Sequence, residues 1–484
     1  MNEKYYLVID QGGHATRAIV FDTLGEVVCQ HESPITTIAK NEFEVEHDPI
    51  EMLESVESCI SQTEDTLGES FKRIVKAGLA TQRSSMVCWN KKSGEPLTPI
   101  ISWQDRRTVN ALENYRQYES LIHDSTGLYL NPHYGATKMR WCLDNCERVK
   151  EALANNELAM APLASFILAS LLENKPYLID PSNGSRTLLL NFKSIAWDKQ
   201  LLEIFGIPLK TLPDIAWTKD DYGIIRRKNH AIPLNICIGD QTAAFYGYGE
   251  PKSDQIFVNA GTGAFLLKSS PSIPQISETK LLASVAYADA KHTKYVIEGT
   301  VNGAGRALQW CAEETGCLDY ENQLEDWADK YTSLPVFING ISGVGSPYWI
   351  SNVKSEFVDL ENSGKKTWNT EEKFVAVLES IVFLTCANIK QIELLTYTTK
   401  QISLAGGLAK NKAFCQALAN LSGVEVCVYQ EVEATAKGVF LLLLSTEIKD
   451  KQLNSVGFHP EYDSLIQVRF SNWSELMNTL LPKS

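Results

Sequence analysis

Two apolar runs in this chain stop at a small polar or acidic residue, turn on glycines and resume as a second apolar run. Tyr5-Tyr6-Leu7-Val8-Ile9 ends at Asp10-Gln11-Gly12-Gly13 and restarts as Thr16-Arg17-Ala18-Ile19-Val20-Phe21. Ile256-Phe257-Val258 ends at Asn259-Ala260-Gly261-Thr262-Gly263 and restarts as Ala264-Phe265-Leu266-Leu267. β-Branched and aromatic runs bounded by glycine predict β-hairpins, and one such hairpin alone is an ordinary connection. A pair, one near the start of each half, predicts a duplicated nucleotide-binding fold. Glycine permits φ > 0 and lets backbone N–H groups approach phosphate oxygens with no Cβ in the way.

The pattern between these hairpins predicts further elements. Val27–His31 reads as a strand, and Asp48-Pro49-Ile50-Glu51 opens a helix on which Met52, Val56 and Ile60 recur at helical spacing. Ile74–Ala80 reads as a buried strand running into Thr81-Gln82-Arg83. From about Thr108 to Pro213 the pattern is helical with irregular joints, an insertion on the core that includes Ala161–Leu172, predicted as one buried helix. Ile236-Cys237-Ile238-Gly239 stops at Asp240, where a helix begins. Later helices are expected near Ala307–Thr315, Glu371–Leu395 and Lys412–Leu421.

At 484 residues the chain exceeds a single core and fits two large domains. A net charge of -14 argues against nucleic acid as partner, because that affinity rests on Lys and Arg neutralising phosphates. The longest purely apolar stretches, such as Val439–Leu444, are too short for a membrane span. Met1-Asn2-Glu3-Lys4 passes straight into a strand pattern with no export signal, and eleven scattered cysteines fit reduced thiols, so a cytoplasmic protein is expected.

Two carboxylates stand out. Asp10 caps the first hairpin, and an acid there faces a polyphosphate only through a metal, which points to Mg²⁺. Asp240, at a strand end, either takes a proton from a substrate hydroxyl as general base or caps the helix that follows. Further glycine clusters, Gly299–Gly305 and Gly406-Gly407, lack Walker A and dinucleotide-fingerprint spacing; each fits a nucleoside pocket or a helix cap.

Asp10-Gln11-Gly12 with Arg17–Asp22, Val45–Pro49, Gln82-Arg83, Trp103–Thr108, Ser182–Thr187, Gly239-Asp240-Gln241, Gly261-Thr262-Gly263, Gly305 with Gln309-Trp310, Pro347-Tyr348-Trp349, Leu378–Ile381, Gly406-Gly407 with Asn411, and Glu433–Gly438 follow one another in a set order. In that order they resemble the FGGY carbohydrate kinases, and within them the members that phosphorylate glycerol. The resemblance implies an α/β fold of two actin-like, ribonuclease H-like domains with an active-site cleft between them. It divides the chain into 1–248, for the acceptor and the base, and 249–484, for ATP. It implies ATP and Mg²⁺ as cofactors, transfer of the γ-phosphoryl to a polyol or sugar hydroxyl, and a homo-oligomer, dimer or tetramer.

Carried over by position, Asp240 resembles the catalytic base and Asp10 the metal-associated acid. Arg83, Ser84, Trp103, His133, Asp240, Gln241 and Phe265 fall at acceptor-binding positions. Gly12, Gly13, His14, Arg17, Gly261 and Thr262 fall at phosphate-binding positions, and Gly305, Gln309, Gly406, Gly407 and Asn411 line the adenosine pocket. The chain also departs from the pattern. Ser84 stands where glycerol-phosphorylating members carry glutamate, His133 where they carry tyrosine, and Gly13-His14 where threonines are usual; Asn352–Asn369 lacks the family's motifs, and Ile350 replaces an aspartate. Glycerol is the expected acceptor. A ketopentose such as xylulose or ribulose is the alternative, and a catalytically weak, nucleotide-binding regulatory member is the third reading.

Overall fold

The apolar run Tyr5–Gln11 forms strand β1, with Leu7 through Gln11 buried, and pairs antiparallel with β2 (Ala15–Phe21) so that Asp10 lies opposite Arg17. The structure, a computed structural model, describes residues 4–228, 230–277, 279–328, 330–331, 333–350, 352–359, 367–429, 433–444 and 455–481. Residues 360–366 of the stretch lacking family motifs lie outside the described residues. Beyond β2 run β3 (Val27–Pro34) and helix α1 (Pro49–Leu67). Asp48 caps α1, its Oδ1 accepting from Ile50 N at 2.7 Å and Glu51 N at 3.3 Å, with proline at the first position as expected.

Strand β4 (Ile74–Thr81) pairs parallel with β1. Strand β5 (Met86–Asn90) precedes the insertion, which carries helix α2 (Gly135–Asn145) and β6 (Leu158–Pro162), antiparallel to β5. The single helix expected over Ala161–Leu172 is therefore corrected. The run is split at Pro162, a strand up to the proline and a helix α3 (Leu163–Leu171) after it. Proline donates no hydrogen bond, which suits it to a strand end and the residue before a helix. Strands β7 (Lys219–Arg227) and β8 (His230–Gly239) and helix α4 (Asp240–Tyr246) follow. The six-stranded sheet has the order β7-β8-β4-β1-β2-β3, with β8, β4 and β1 mutually parallel.

The second hairpin is β9 (Gln255–Ala260) and β10 (Ala264–Ser270), antiparallel, followed by β11 (Leu282–Ala288), β12 (Thr293–Val301) and helix α5 (Gly305–Thr315). Helix α6 (Thr370–Leu395) starts in a capping box between Asn369 and Glu372. Strand β13 (Gln401–Ala405), helix α7 (Lys412–Ser422) and strand β14 (Glu425–Tyr429) come next. After helix α8 (Ala434–Leu444) come β15 (Ser455–Phe458) and helix α9 (Ser464–Thr479). The order β11-β12-β10-β9-β13-β14-β15, with β9, β13 and β14 parallel, repeats the first sheet's plan of an antiparallel hairpin beside parallel strands.

The described residues divide into two units, one from Met1–Glu250, Ser284–Tyr295 and Glu431–Lys451, the other from Pro251–Ala283, Val296–Gln430 and Gln452–Ser484. The units change near residue 250, but α8, late in the sequence, belongs to the first unit and packs on α4, β1 and β4. In the second unit α6 runs through the core against α5 and α7. Among the described helices α6 is the one long and apolar enough to cross a membrane, although Glu379 and Lys390 interrupt its apolar run, and it is mostly buried inside the protein. Glu379 is buried there in a two-pronged pair with Arg469 of α9, Oε1 to Nη2 at 2.6 Å and Oε2 to Nε at 2.8 Å.

Candidate functional site

Parallel pairing sets Gln11 beside Thr81 and Thr81 beside Gly239, so β1, β4 and β8 end together at one edge of the first unit's sheet. Ligands of open α/β sheets bind outside the carboxyl ends of such strands. Asp10-Gln11, Gln82-Arg83 and Asp240-Gln241 leave the sheet there. Gln82 locks the ends together: its backbone N–H donates to Gln11 O at 2.8 Å and its side chain to Gly12 O at 3.1 Å.

Arg83 spans the strand end. Its Nη2 donates to Gln241 Oε1, its Nη1 to Thr242 Oγ1 at 3.4 Å, and its Nε stands 4.0 Å from Asp240 Oδ1. Gly239 makes room for it, since a Cβ there would sit 2.5 Å from Arg83 Cδ. Asp240 takes the first position of α4 and accepts from Gln241 N at 2.6 Å, so it both faces Arg83 and engages the start of the helix. Burial raises its carboxyl above the usual range, against the pull of Arg83, the Gln241 amide and Arg186. Behind it, Gly239 N donates to Ser182 Oγ at 2.8 Å, and Asp180 holds the Ser182–Asn183 turn.

Ser84 adopts φ 67, in the left-handed region a serine rarely visits, and its buried Oγ has no hydrogen-bond partner in the protein. Backbone strain of this kind persists where surrounding contacts impose it, and it clusters at functional sites. Trp103 is exposed; its backbone N–H donates to Ser85 Oγ at 2.9 Å, and Ser85 Oγ donates in turn to Gln82 Oε1 at 2.8 Å. The His133 ring meets the Trp103 ring edge-on, with centroids 5.8 Å apart. Burial, helped by Lys138, Arg186 and Arg83, holds His133 well below its ordinary pKa, so the imidazole is neutral. Gly13 lies against the same indole, where a Cβ would come within 3.7 Å of Nε1.

Asp10 is buried. Desolvation, then the charge of Asp240, push its pKa up to about 7; Arg17 opposes them and Glu433 adds to them. Arg17, across the hairpin, is already paired, its Nε with Glu32 at 2.6 Å and its Nη1 with Glu433 at 3.4 Å. The Gly12 N–H closes the turn on Ala15 O at 2.9 Å, and His14 faces solvent. A carboxylate raised by burial and by a neighbouring like charge is a suitable ligand for a hard cation. Among the described residues no group of three or more His, Cys, Asp or Glu forms a metal cage. Mg²⁺ commonly needs only one or two carboxylates plus substrate phosphates.

The remaining predicted residues lie in the second unit. Gly261 N closes the β9–β10 turn on Gly263 O at 2.8 Å. The first amides of α5 bond this turn, Gly305 N to Gly261 O at 2.9 Å and Arg306 N to Thr262 O at 3.1 Å, which joins the hairpin to the helix carrying exposed Gln309. Gly406, at φ 91, passes so close to β9 that a Cβ would meet Ala260 O at 2.5 Å; Gly406 and Gly407 are exposed beside it. Asn411 caps α7, its Oδ1 accepting from Phe414 N at 2.8 Å, so one side-chain group is committed to the helix. Phe265, on β10 in the second unit, pairs with Asn259 of β9.

Sequence reading passed over several residues here. Arg186 faces Asp240 and His133 electrostatically, and Glu433 holds Arg17. Lys138 is fully buried beside Ser84 and His133. Arg186 and Glu433 lie inside the motifs Ser182–Thr187 and Glu433–Gly438, which is their signal; Lys138 carries none, because one lysine on a helix reads as a solvated surface residue.

Residues 5–247 match the family model described as the N-terminal domain of the FGGY family of carbohydrate kinases, and residues 256–446 match that of its C-terminal domain. The glycerol kinase of Streptococcus pneumoniae (strain 70585) is 30% identical over 490 residues, covering 98% of this chain and 97% of its own. Among solved structures, Plasmodium falciparum glycerol kinase with ADP is similar at a TM-score of 0.89 and 22% identity, covering 100% of this chain and 99% of that one. A xylulose kinase from Lactobacillus acidophilus is similar at 0.85 and 21% identity, covering 99% and 98%. At these identities the two structural likenesses are of fold.

Proposed function

We propose, for a chain that belongs to the FGGY family of carbohydrate kinases, that it phosphorylates a small polyol or sugar hydroxyl from ATP, with glycerol as acceptor and glycerol 3-phosphate as product. The observation that carries this reading is the meeting of Asp10, Arg83 and Asp240 where three parallel strands end. Asp240 accepts the proton of the acceptor hydroxyl. Its raised pKa makes it a stronger base than an exposed aspartate, and such a base contributes ~10²–10⁴-fold in rate.

Arg83, Gln241, Trp103, Ser84 and His133 hold the acceptor in the N-terminal domain, 1–248. Small polyols need partners for their hydroxyls and an apolar surface for their carbon edge. In the first unit the turn at Gly12, Gly13 and His14 takes the nucleotide's phosphates, with Arg17 exchanging a carboxylate partner for phosphate; in the second unit Gly261 and Thr262 are the phosphate-binding candidates. The C-terminal domain, 249–484, takes the adenosine at Gly305, Gln309, Gly406, Gly407 and Asn411. Mg²⁺, held by Asp10 and the phosphates, would supply neutralisation of charge on the transferred group. We place the reaction in the cytoplasm, supported by eleven cysteines none of which forms a disulfide.

One observation favours a ketopentose as the second reading. The unpartnered Ser84 hydroxyl is shorter than a carboxylate and leaves a hydrogen-bonding group for a longer acceptor. A coupled ADP-release screen across glycerol, four-carbon polyols, pentuloses and hexuloses decides between them. Glycerol should rank first. ATP binding with no acceptor-dependent ADP release from any of these compounds would overturn the kinase reading in favour of a regulatory one.

A further inference from the structure

Lys138 lies on α2 with no solvent exposure, and its ammonium has three N–H donors. They go to three backbone carbonyls on three separate segments: Ser102 O at 2.7 Å, His133 O at 2.8 Å and Ser84 O at 3.4 Å. Burial pushes the pKa of Lys138 down to about 7, and Asp105, whose charge opposes this, is itself occupied, bonding Arg107 through Nε at 3.0 Å and Nη2 at 2.8 Å and accepting from Val45 N at 2.8 Å. A buried ammonium without a carboxylate of its own is costly to keep, so its placement asks for a reason.

The three carbonyls share one property. Ser84 is the strained residue with an unsatisfied hydroxyl, Ser102 precedes Trp103, and His133 carries the imidazole that meets the Trp103 ring. We propose that Lys138 is the positioning residue of the acceptor pocket, its ammonium tying the Ser84, Ser102 and His133 peptides together and so fixing the spacing of the Ser84 hydroxyl, the Trp103 indole and the His133 imidazole. This rests on the reading that those three side chains hold the acceptor. The left-handed backbone at Ser84 is held from its carbonyl side by this lysine. Losing the bond lets the peptide relax and moves the hydroxyl away from where an acceptor oxygen needs it.

The test uses the full chain with Lys138→Met, which keeps the length and removes the donors, and Lys138→Gln, which keeps two donors and removes the charge. Hydrogen exchange of the peptides covering 82–90, 100–106 and 130–137 is measured beside KM for acceptor and for ATP. The three stretches should exchange faster together while the rest of the first unit keeps its rates. The acceptor KM should rise by about tenfold or more, as small misplacements of binding groups do, with the ATP KM within about twofold. Unchanged exchange in the three stretches, faster exchange with an unchanged acceptor KM, or parallel rises in both KM values would overturn the proposal. So would loss of a cooperative melt in both variants, which would make the lysine a support of the whole unit. If the wild-type protein turns over no acceptor in the screen, the proposed activity fails; the exchange pattern then still decides whether Lys138 ties these segments.

Discussion

Arg83 keeps its Nε 4.0 Å from Oδ1 of Asp240 while its other nitrogens are taken by Gln241 and Thr242. The guanidinium is therefore held near the carboxylate without closing on it as a two-pronged pair, which would depress the pKa and spoil a base. Burial wins at Asp240, and its carboxyl is raised.

Replacing Asp240 by Asn removes the proton acceptor and preserves the shape. Acceptor-dependent ADP release should fall by at least ~10²-fold. ATP affinity, read by calorimetry, should stay within a few-fold, because the residues assigned to adenosine are in the other unit. Near-normal turnover would remove Asp240 from the mechanism.

Gly239→Ala tests the placement of Arg83. The new Cβ would lie 2.5 Å from Cδ and 2.6 Å from Cγ, closer than real contacts allow, so the arginine must swing off the strand end. A loss of about tenfold or more in kcat/KM for the acceptor is expected, with a modest drop in Tm of a few degrees. An unchanged kcat/KM would mean that Arg83 does not orient the acceptor.

Asp10 makes stability depend on pH in a definite direction. Its pKa rises from 3.8 to about 7 on folding, so between those values the native state binds more protons than the unfolded chain. The stability of the unliganded protein therefore falls as pH rises from about 4 to about 7 and levels off above. Asp10→Asn removes this cost, and denaturant unfolding should show the variant gaining on wild type across that window, by roughly 4 kcal/mol as an upper bound. Mg²⁺-dependent ATP affinity of the wild type should increase over the same range, as the carboxylate becomes available to a cation. A pH-independent difference between the two proteins would refute the raised pKa.

Ser84 and His133 set the acceptor chemistry if they line its pocket. Ser84→Glu together with His133→Tyr should raise kcat/KM for glycerol relative to a pentulose by about tenfold or more, since matched buried polar groups discriminate strongly. The ratio comes from the same ADP-release assay. If it stays unchanged, specificity is shaped elsewhere.

Much of this was legible in the sequence where the signal is local. The hairpins at Asp10 and Gly261 announce themselves through strand-forming runs and glycines, and Asp48-Pro49 marks the start of α1 within one residue. The Ala161–Leu172 run was ambiguous for a physical reason: a continuous apolar stretch fits a buried strand as well as a helix, and tertiary pairing with Met86–Asn90 decided it. The bond from Arg17 to Glu433 links residues 416 positions apart, beyond any local pattern. Lys138 was invisible because its partners are backbone carbonyls, which carry no residue identity.

The placement of helix Ala434–Leu444 against β1 and β4 bears on how this protein is made. A ribosome releases the first 250 residues long before that helix exists, so the apolar face awaiting it stays uncovered through most of translation. Vectorial synthesis cannot finish the first-made unit before the second is nearly complete, and any chaperone that attends this chain has to guard its beginning until its end arrives.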